Sequence, residues 1–473
     1  MNLTFLGGVN EIGGNKILLQ DRGTRIFLDF GFSFSKNDQF YSEFLQPRVC
    51  NGIGDYMDLG IIPNIDGIYR NDLLKNENRK TSKYPQVNGV FISHAHADHS
   101  WNISLLHEDM PIYCGNTCKL ILKASQETGG MPYYGDFYWF RENFVDRSKK
   151  PEKMRKFHTF KTGDKFKVGN LEIEPIHVDH SLPGTYAFIV YTTSGTLAYT
   201  GDVRLHGPMS FFTQDFIKKA KEVRPDVLIC EGTKIDEKER GLSEKDVLEK
   251  IRSFISNTKK LVVANYPVRD IDRFKTFYRA SKENGRKLTI TFKQAYLFKM
   301  LREHDPTLEM PDIEGDDIAI YAHRNRWGRF DDNDYYGWEK EFLKYKNMVT
   351  FKDIHKRQED FVLYCDYYSI NELLDVKPDF GSAYIYSTSE PHDEEQRIDF
   401  QRLKNWLKHF SLPMFEAHAS GHGCQGDIKK MIEEIEPRVV IPVHTKKPEL
   451  FLDLIDANKT KVRLVKVGEN YAL

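Results

Sequence analysis

The chain has 473 residues, of which 40% are hydrophobic and 13% aromatic, a composition ordinary for a folded protein of two to three domains. No run of about 18 consecutive apolar residues occurs, which excludes a transmembrane helix, and the first residues lack the charged and apolar regions of a signal peptide, so we expect a cytoplasmic protein. The 68 basic and 69 acidic residues nearly balance, which argues against a uniformly basic nucleic-acid-binding face.

The elements predicted along the chain change character twice. Short apolar runs alternate with glycine turns up to about residue 230, and two of these runs, 187–191 and 197–200, are joined by a Ser-Gly pair typical of a β-hairpin. From Ser243, a helix start, strand and helix patterns alternate, which predicts a small parallel sheet with helices on its faces. The first pattern returns after about residue 412. We therefore expect an α/β domain at 1–233 and 413–473, interrupted by a second at 234–412.

The clearest chemical pattern follows an apolar strand and reads His-Ala-His-Ala-Asp-His at 94–99. Three imidazoles and one carboxylate within six residues are ligands that Zn²⁺ prefers. The loop at the carboxyl end of a strand is also where sites of α/β proteins usually form. A histidine-rich helix cap is the alternative interpretation, which fits a lone histidine better than this cluster. The sequence therefore predicts a metal site on this loop.

This motif resembles that of the metallo-β-lactamase superfamily, and further parts of the family pattern follow in order. Asp29 resembles the aspartate that orients the metal loop, His180 the ligand of the third motif, and Asp202 the carboxylate that bridges two metals. The resemblance implies the αββα sandwich fold and two Zn²⁺ ions, with Mn²⁺ as a substitute. It implies that one Zn²⁺ is held by His94, His96 and His180 and the other by Asp98, His99 and His444, with Asp202 shared.

A shared carboxylate has a physical reason. Two Zn²⁺ ions about 3.5–4 Å apart repel each other strongly unless anionic ligands lie between them.

His177 is a competing candidate for the third-motif ligand, but the Ser-Leu-Pro-Gly that follows His180 favours the latter. We expect His177 to lie on a strand and to pack.

Three later residues indicate a branch of the superfamily. Glu231 ends an apolar strand, His422 lies in the His-Ala-Ser-Gly-His-Gly loop at 418–423, and His444 follows another apolar strand. These resemble the additional motifs of the β-CASP nucleases, which also carry an inserted α/β domain, here expected at 234–412. The opening segment and the 418–423 loop are similar to those of ribonuclease J.

The resemblance implies hydrolysis of RNA phosphodiester bonds and allows 5′-exonuclease action. His422, held by Glu231, is the natural general acid, because a neighbouring carboxylate raises the pKa of an imidazole. The implied catalytic residues are Asp98, Asp202, Glu231 and His422. The candidates for contacts with RNA and its phosphates are His418, Ser420, Gly421, Thr233, Arg269 and Arg273.

Three other functions stay open at this point. An Artemis-like DNA nuclease shares the chemistry, although His444 is typical of RNA-acting members. A catalytically inactive RNA-binding subunit usually lacks metal ligands, whereas all seven positions are filled here. A small-molecule hydrolase of the glyoxalase or lactamase type needs neither Glu231 nor His422. RNA is the expected partner, and no association with a membrane is expected. A homodimer stays open. The sequence of residues 31–84 differs from that of ribonuclease J.

Overall fold

The structure, a computed structural model, describes residues 1–42, 44–74, 79–129, 135–141, 153–391 and 394–472. The chain forms two compact units. The outer unit comprises Met1–Arg240 and Gly421–Leu473, and the inserted unit comprises Gly241–Ser420. The expected boundaries at 234 and 412 therefore both fall several residues too early.

The boundaries are displaced because the two flanking segments pair with each other inside the outer unit. Lys234 forms a parallel bridge with Cys424. One residue further on, the amide of Gln425 donates to the carbonyl of Glu237 at 2.8 Å. These contacts tie the segment after residue 234 to the outer unit, and the sequence carries no composition shift that marks them.

The helices and strands are named here in chain order. The outer unit begins with β1 (Asn2–Gly7), β2 (Lys16–Asp21), β3 (Thr24–Phe30), α1 (Phe34–Asn37), α2 (Gly54–Asp58), α3 (Asn71–Leu74), β4 (Gly89–Ile92), α4 (Ala97–Ser100), β5 (Ile112–Gly115), α5 (Asn116–Thr128), β6 (Trp139–Phe140), β7 (Lys153–Met154), β8 (Phe157–Phe160), β9 (Phe166–Val168), β10 (Leu171–Val178), β11 (Thr185–Thr192), β12 (Gly195–Tyr199), α6 (Ser210–Val223) and β13 (Val227–Glu231). The inserted unit contains α7 (Glu244–Asn257), β14 (Val262–Asn265), α8 (Ile271–Glu283), β15 (Lys287–Thr291), α9 (Phe292–His304), β16 (Ile318–Tyr321), β17 (Met348–Val349), α10 (Phe351–Lys356), β18 (Phe361–Tyr364), α11 (Glu372–Val376), β19 (Ala383–Tyr386), α12 (Glu394–His409) and β20 (Met414–Glu416). The outer unit ends with α13 (Gln425–Ile435), β21 (Val439–Val443), α14 (Leu450–Leu454), β22 (Lys461–Val462) and β23 (Asn470–Ala472). Within the described ranges, none of these helices combines the length and the apolar character that a bilayer crossing requires.

The outer unit is built on two seven-stranded sheets packed face to face, and β6 and β7 pair separately as a two-stranded sheet. The first has the order β23-β1-β2-β3-β4-β5-β8 and the second the order β22-β21-β13-β12-β11-β10-β9. Apolar side chains of both sheets, such as Phe5 and Phe91 from the first and Phe188 and Ile229 from the second, form one core between them. Helix α5 contacts the first sheet, and α6 and α13 pack on the outer face of the second. The predicted αββα sandwich is therefore confirmed.

The inserted unit is built on one parallel sheet with the order β17-β16-β15-β18-β14-β19-β20. Strands β14, β16 and β18 are buried along their whole length and mostly apolar, as expected when helices cover both faces. Helix α7 begins after Ser243, whose side chain forms a capping box with Asp246. Because the strands are parallel, the loops that follow them lie at one edge, which we call the carboxyl edge.

Candidate metal centre

The seven predicted ligands follow the carboxyl ends of four strands of the outer unit. After β4, His94 and His96 lie on the connecting loop and Asp98 and His99 on α4, and the loops after β10, β12 and β21 carry His180, Asp202 and His444. The structure brings their ligand atoms together in two groups, within 4.8 Å of one another in each group. The groups are His94, His96, His180 and Asp202, and Asp98, His99 and His444.

Asp202 lies between the two groups. Its Oδ2 is 3.5 Å from Nε2 of His94 and 3.7 Å from Nε2 of His180 in the first group. The same oxygen is 3.2 Å from Nε2 of His99 in the second group, and Oδ1 is 3.8 Å from Nε2 of His444. A carboxylate in this position can be shared by two cations.

Hydrogen bonds to the outer ring nitrogens orient the imidazoles. Nδ1 of His180 donates to the carbonyl of Gly421 at 2.6 Å, and Nδ1 of His99 donates to Oδ2 of Asp29 at 2.7 Å. These acceptors assign the proton of each neutral ring to Nδ1 and leave the lone pair on Nε2, which faces the cluster. Both rings therefore present the tautomer that can bind a metal.

Asp29 organises the loop that carries the motif. Its Oδ1 accepts a hydrogen bond from the amide of Ser93 at 2.7 Å. Its Oδ2 accepts from the hydroxyls of Ser93 and Tyr199, at 2.8 and 2.7 Å, as well as from His99. The buried carboxylate thus ties β3 to the loop after β4 and to β12, which fits the orienting role that the family resemblance implies. Sequence reasoning missed Ser93 and Tyr199, and their only signal is that each adjoins a motif.

Two of the predicted RNA contacts, Thr233 and Gly421, contact candidate metal ligands. The hydroxyl of Thr233 lies 2.8 Å from Nδ1 of His444, whose own amide donates to the carbonyl of Gly8 at 2.7 Å. A Cβ on Gly421 would lie 2.9 Å from Cε1 of His180, closer than real side chains approach. A glycine is therefore required there if the His180 ring is to keep its position.

The electrostatics of the cluster fit a divalent cation. Nε2 of His99 and Oδ1 of Asp202 are buried and have no well-formed hydrogen bond among the described residues. Burial lowers the pKa of His99, but the carboxylates of Asp202, Asp29 and Asp98 outweigh it and raise the pKa well above the usual value. Burial lowers the pKa of His94 well below its usual value, so that ring is neutral. With His99 in its neutral form, convergent imidazole nitrogens beside buried carboxylates are a donor set that can hold a divalent metal ion.

Next to the cluster, Glu231 holds His422. Both carboxylate oxygens of Glu231 lie 3.0 Å from Nδ1 of His422, and one of them also accepts from the amide of Val203 at 2.8 Å. Burial lowers the pKa of His422, but the charge of Glu231, followed by that of Asp202, raises it to about 9. The side chain keeps 20% of its surface exposed, and its ring centroid is 5.1 Å from that of His180. His422 can therefore hold a proton beside the candidate metal ligands.

The other predicted RNA contacts lie in the inserted unit. His418 and Ser420 are half-buried in the segment after β20, and Arg269 is half-buried in the loop after β14. Arg273 is different, because its side chain is 0% exposed and forms an ion pair with Glu244 at 2.9 Å. The prediction that Arg273 contacts RNA does not fit this burial.

His177, the competing ligand candidate, packs away from the cluster's two ligand groups. It lies on β10, where its ring stacks between those of Tyr186 and Phe212 at centroid distances of 5.0 and 4.0 Å. His180, two residues beyond the end of that strand, is the one whose Nε2 faces Asp202.

The sandwich and its two-part cluster of histidines and carboxylates define a metal site of the metallo-β-lactamase kind. Residues 65–253 match the family model of the beta-lactamase superfamily domain, and residues 416–464 match that of the Zn-dependent metallo-hydrolase RNA specificity domain. The chain belongs to the metallo-β-lactamase superfamily. Within it, the inserted parallel-sheet unit and a similarity to bacterial ribonucleases J over most of the chain place it in the β-CASP branch.

Several bacterial ribonucleases J are similar to this chain over most of its length. It is 22% identical to Ribonuclease J of Mycoplasma genitalium over 93% of this chain and 66% of that protein, and 23% identical to Ribonuclease J of Mycolicibacterium smegmatis over 94% and 68%. The chain thus spans about two thirds of the length of these relatives. A crystal structure of a protein of unknown function from Enterococcus faecalis V583 has the same fold, with a TM-score of 0.75, 24% identity and coverage of 100% of this chain and 99% of that chain.

Proposed function

We propose that this protein is a metal-dependent ribonuclease that hydrolyses RNA phosphodiester bonds, with 5′-exonuclease action. The single observation that carries the proposal is the Glu231–His422 pair beside a two-part ligand cluster. A hydrolase that only needs an activated water requires no further proton donor. Cleavage of a phosphodiester requires one, because its leaving group is an alkoxide that must take up a proton. The match to an RNA specificity domain and the similarity to ribonuclease J support RNA as the substrate.

Two Zn²⁺ ions are proposed for the cluster, the first with His94, His96 and His180, the second with Asp98, His99 and His444, and Asp202 common to both. When bound, such ions polarise the phosphate and make water nucleophilic at neutral pH. Mn²⁺ would be accepted by the same nitrogen and oxygen ligands at lower affinity.

His422 is the proposed general acid. Because Glu231 accepts the Nδ1 proton, the proton available for transfer is the one on Nε2 of the charged ring. That proton would pass to the departing 3′-oxygen, and Glu231 would hold the ring in place and stabilise its charge in the meantime. Asp98 and Asp202 serve as ligands whose charge is required for the metals to bind.

Within the inserted unit, His418 and Ser420 are proposed to bind the terminal 5′-phosphate of the RNA, and Arg269 to contact a phosphate of its backbone. A charged guanidinium and neutral donors are the groups that recognise phosphate. Recognition of a terminal phosphate would favour removal of nucleotides from the 5′ end.

The test uses purified protein with end-labelled RNA and DNA of one sequence, each with a 5′-monophosphate, triphosphate or hydroxyl, with and without chelator. We expect chelator-sensitive release of mononucleotides from 5′-monophosphorylated RNA. Internal fragments from every RNA would show endonuclease action instead. Cleavage of DNA alone would overturn the substrate. Binding of RNA without cleavage by protein loaded with about two zinc ions per chain would overturn the enzymatic function.

A further inference from the structure

The carboxyl edge of the inserted sheet carries large aromatic side chains in the solvent. Trp327, in the loop after β16, is 78% exposed, and Tyr368, just after β18, is 86% exposed. A single exposed aromatic residue is common on protein surfaces and needs no explanation.

The loop around Trp327 is held in one conformation. The buried carboxylate of Asp334 accepts hydrogen bonds from three backbone amides, those of Trp327 at 3.0 Å, Arg329 at 2.5 Å and Phe330 at 2.9 Å. Arg326 and Phe330 have left-handed backbones, with φ of 41° and 60°. Such conformations cost about 1 kcal/mol or more for these residue types and persist where the surroundings impose them. Trp327 is therefore presented on a preorganised turn.

The charges near Trp327 nearly cancel, which favours stacking on bases over electrostatic attraction of phosphates. The guanidinium of Arg326 lies 5.2 Å from the ring centroid of Tyr336, another exposed aromatic side chain. Arg329 is exposed as well, but so are Asp331 and Asp332, which leaves the loop with little net charge. Planar guanidinium and aromatic groups without a strong net charge are suited to stacking on unpaired bases.

The strand order aligns these loops with the proposed phosphate contacts. From β16 to β20 the sheet runs β16-β15-β18-β14-β19-β20, so the loops at the carboxyl edge place Trp327, Tyr368, Arg269 and His418 in that spatial order. Neighbouring strands lie about 4.8 Å apart, which makes the distance from β16 to β20 roughly 24 Å. Sites for single strands in other folds cover about four or more nucleotides.

We propose that this edge is a binding track for single-stranded RNA. Trp327 and Tyr368 stack on bases several nucleotides away from the 5′-phosphate that His418 is proposed to hold. The inference rests on the proposed function, because RNA is the ligand. It requires an unpaired strand, since the bases of a duplex are already stacked on each other.

The test compares Trp327→Ala and Tyr368→Ala with Phe380→Ala. Phe380 is 96% exposed in the same unit but precedes β19, so it lies at the opposite edge of the sheet. Binding of fluorescent 5′-monophosphorylated oligoadenylates of about 3 and about 12 nucleotides is measured in chelator, which prevents cleavage. We expect Trp327→Ala and Tyr368→Ala each to weaken binding of the longer RNA by about fivefold or more, the loss of one base–aromatic stack. Binding of the short RNA and of both RNAs by Phe380→Ala stays at the wild-type level.

Two results would overturn the track. One is wild-type affinity of both edge variants for the longer RNA, and the other is an equal loss for the short RNA or in Phe380→Ala. The cleavage assay separates this failure from that of the proposed function. A wild-type protein that cleaves RNA while the edge variants bind normally rejects the track alone, whereas a zinc-loaded wild-type protein that neither binds nor cleaves RNA rejects both.

Discussion

Arg273 donates a hydrogen bond from Nη1 to Nδ1 of His418 at 3.2 Å. A guanidinium can only donate, so Nδ1 of His418 accepts, and the proton of the neutral ring lies on Nε2. The same guanidinium donates to the carbonyl of Ala419 at 3.3 Å and is neutralised by Glu244. One buried arginine thus fixes both the position of the 417–419 loop and the tautomer of its histidine. In this tautomer His418 offers an N–H donor to an anion.

Replacing Arg273 with Lys should therefore weaken recognition of a terminal phosphate. Lysine keeps the charge opposite Glu244 but cannot reproduce the fork that holds the loop and His418. We expect KM for 5′-monophosphorylated RNA to rise by about tenfold, equivalent to about 1.4 kcal/mol, while KM for 5′-hydroxyl RNA and kcat change much less. The measurement is steady-state cleavage of the two RNAs.

The matched control for this variant is Arg286→Lys. The guanidinium of Arg286 also donates hydrogen bonds to backbone carbonyls, those of Thr258 and Lys260. Arg286 precedes β15, however, and so lies at the opposite edge of the sheet. It should lower stability without changing the ratio of the two KM values. An equal rise of KM for both RNAs in Arg273→Lys would contradict a role in phosphate recognition.

Asp202→Asn should reduce the number of metal ions bound. An amide oxygen carries no formal charge, so it cannot screen two cations from each other as a shared carboxylate would. We expect elemental analysis to find about two zinc ions per wild-type chain and about one or fewer in the variant, with RNA cleavage lost. Asp21→Asn is the control, because Asp21 is a buried carboxylate that accepts hydrogen bonds from Thr193, outside the cluster.

The 94–99 motif of the candidate metal site could be predicted from the sequence alone. The residues that hold its side chains in place could not. The 94–99 motif lies within six residues, so its spacing alone indicates a site. His180, Asp202 and His444 needed the resemblance, because without the family pattern their neighbouring residues do not distinguish them from packed polar residues. The hairpin between β11 and β12 follows from local turn chemistry in the same way.

Arg273 shows why other roles were missed. A basic residue shortly after a strand resembles a phosphate contact. The carboxylate that pairs with Arg273, that of Glu244, lies 29 residues away on α7. Thr233 and Gly421 are a similar case, because their partners His444 and His180 are 211 and 241 residues distant. Such contacts are set by tertiary packing, to which residue type and spacing give no access.

His422→Ala should slow RNA cleavage without releasing metal. Removal of a general acid typically costs about 10²- to 10⁴-fold in rate. We expect kcat to fall within that range while the zinc content stays at the wild-type level. Glu231→Gln should have a smaller effect in the same direction, because it keeps a hydrogen-bond acceptor but removes the charge that stabilises the protonated ring.

His177→Ala is the control for a histidine near the motif that does not face the cluster. It removes the stack on Tyr186 and Phe212 and should lower the unfolding temperature while leaving zinc content and kcat nearly unchanged. Loss of zinc from His422→Ala would show that His422 is a ligand and that its assignment as general acid is wrong.

Asp270 should make the stability of the protein depend on pH near neutrality. It is the buried N-cap of α8, and its side chain accepts from the amide of Arg273 at 2.9 Å. Burial raises its pKa; Arg273 lowers it and Glu244 raises it, with a net value of about 7. Between the unfolded pKa of about 3.9 and this value, the folded state holds the proton more tightly. Stability should therefore fall as pH rises from about 4 to 7 and reach a plateau above.

Asp270→Asn isolates this contribution, because asparagine caps a helix as well as aspartate does and cannot ionise. We expect the variant to gain stability over the wild type as pH rises from 5 to 8, by a few kcal/mol at most at about 1.4 kcal/mol per pKa unit. Thermal unfolding in chelator at each pH, compared between the two proteins, removes the titration of the metal ligands from the difference. A constant difference from pH 5 to 8 would mean that the Asp270 carboxyl has an ordinary pKa, and a lower stability of the variant at pH 8 would mean that its charge stabilises the network with Arg273.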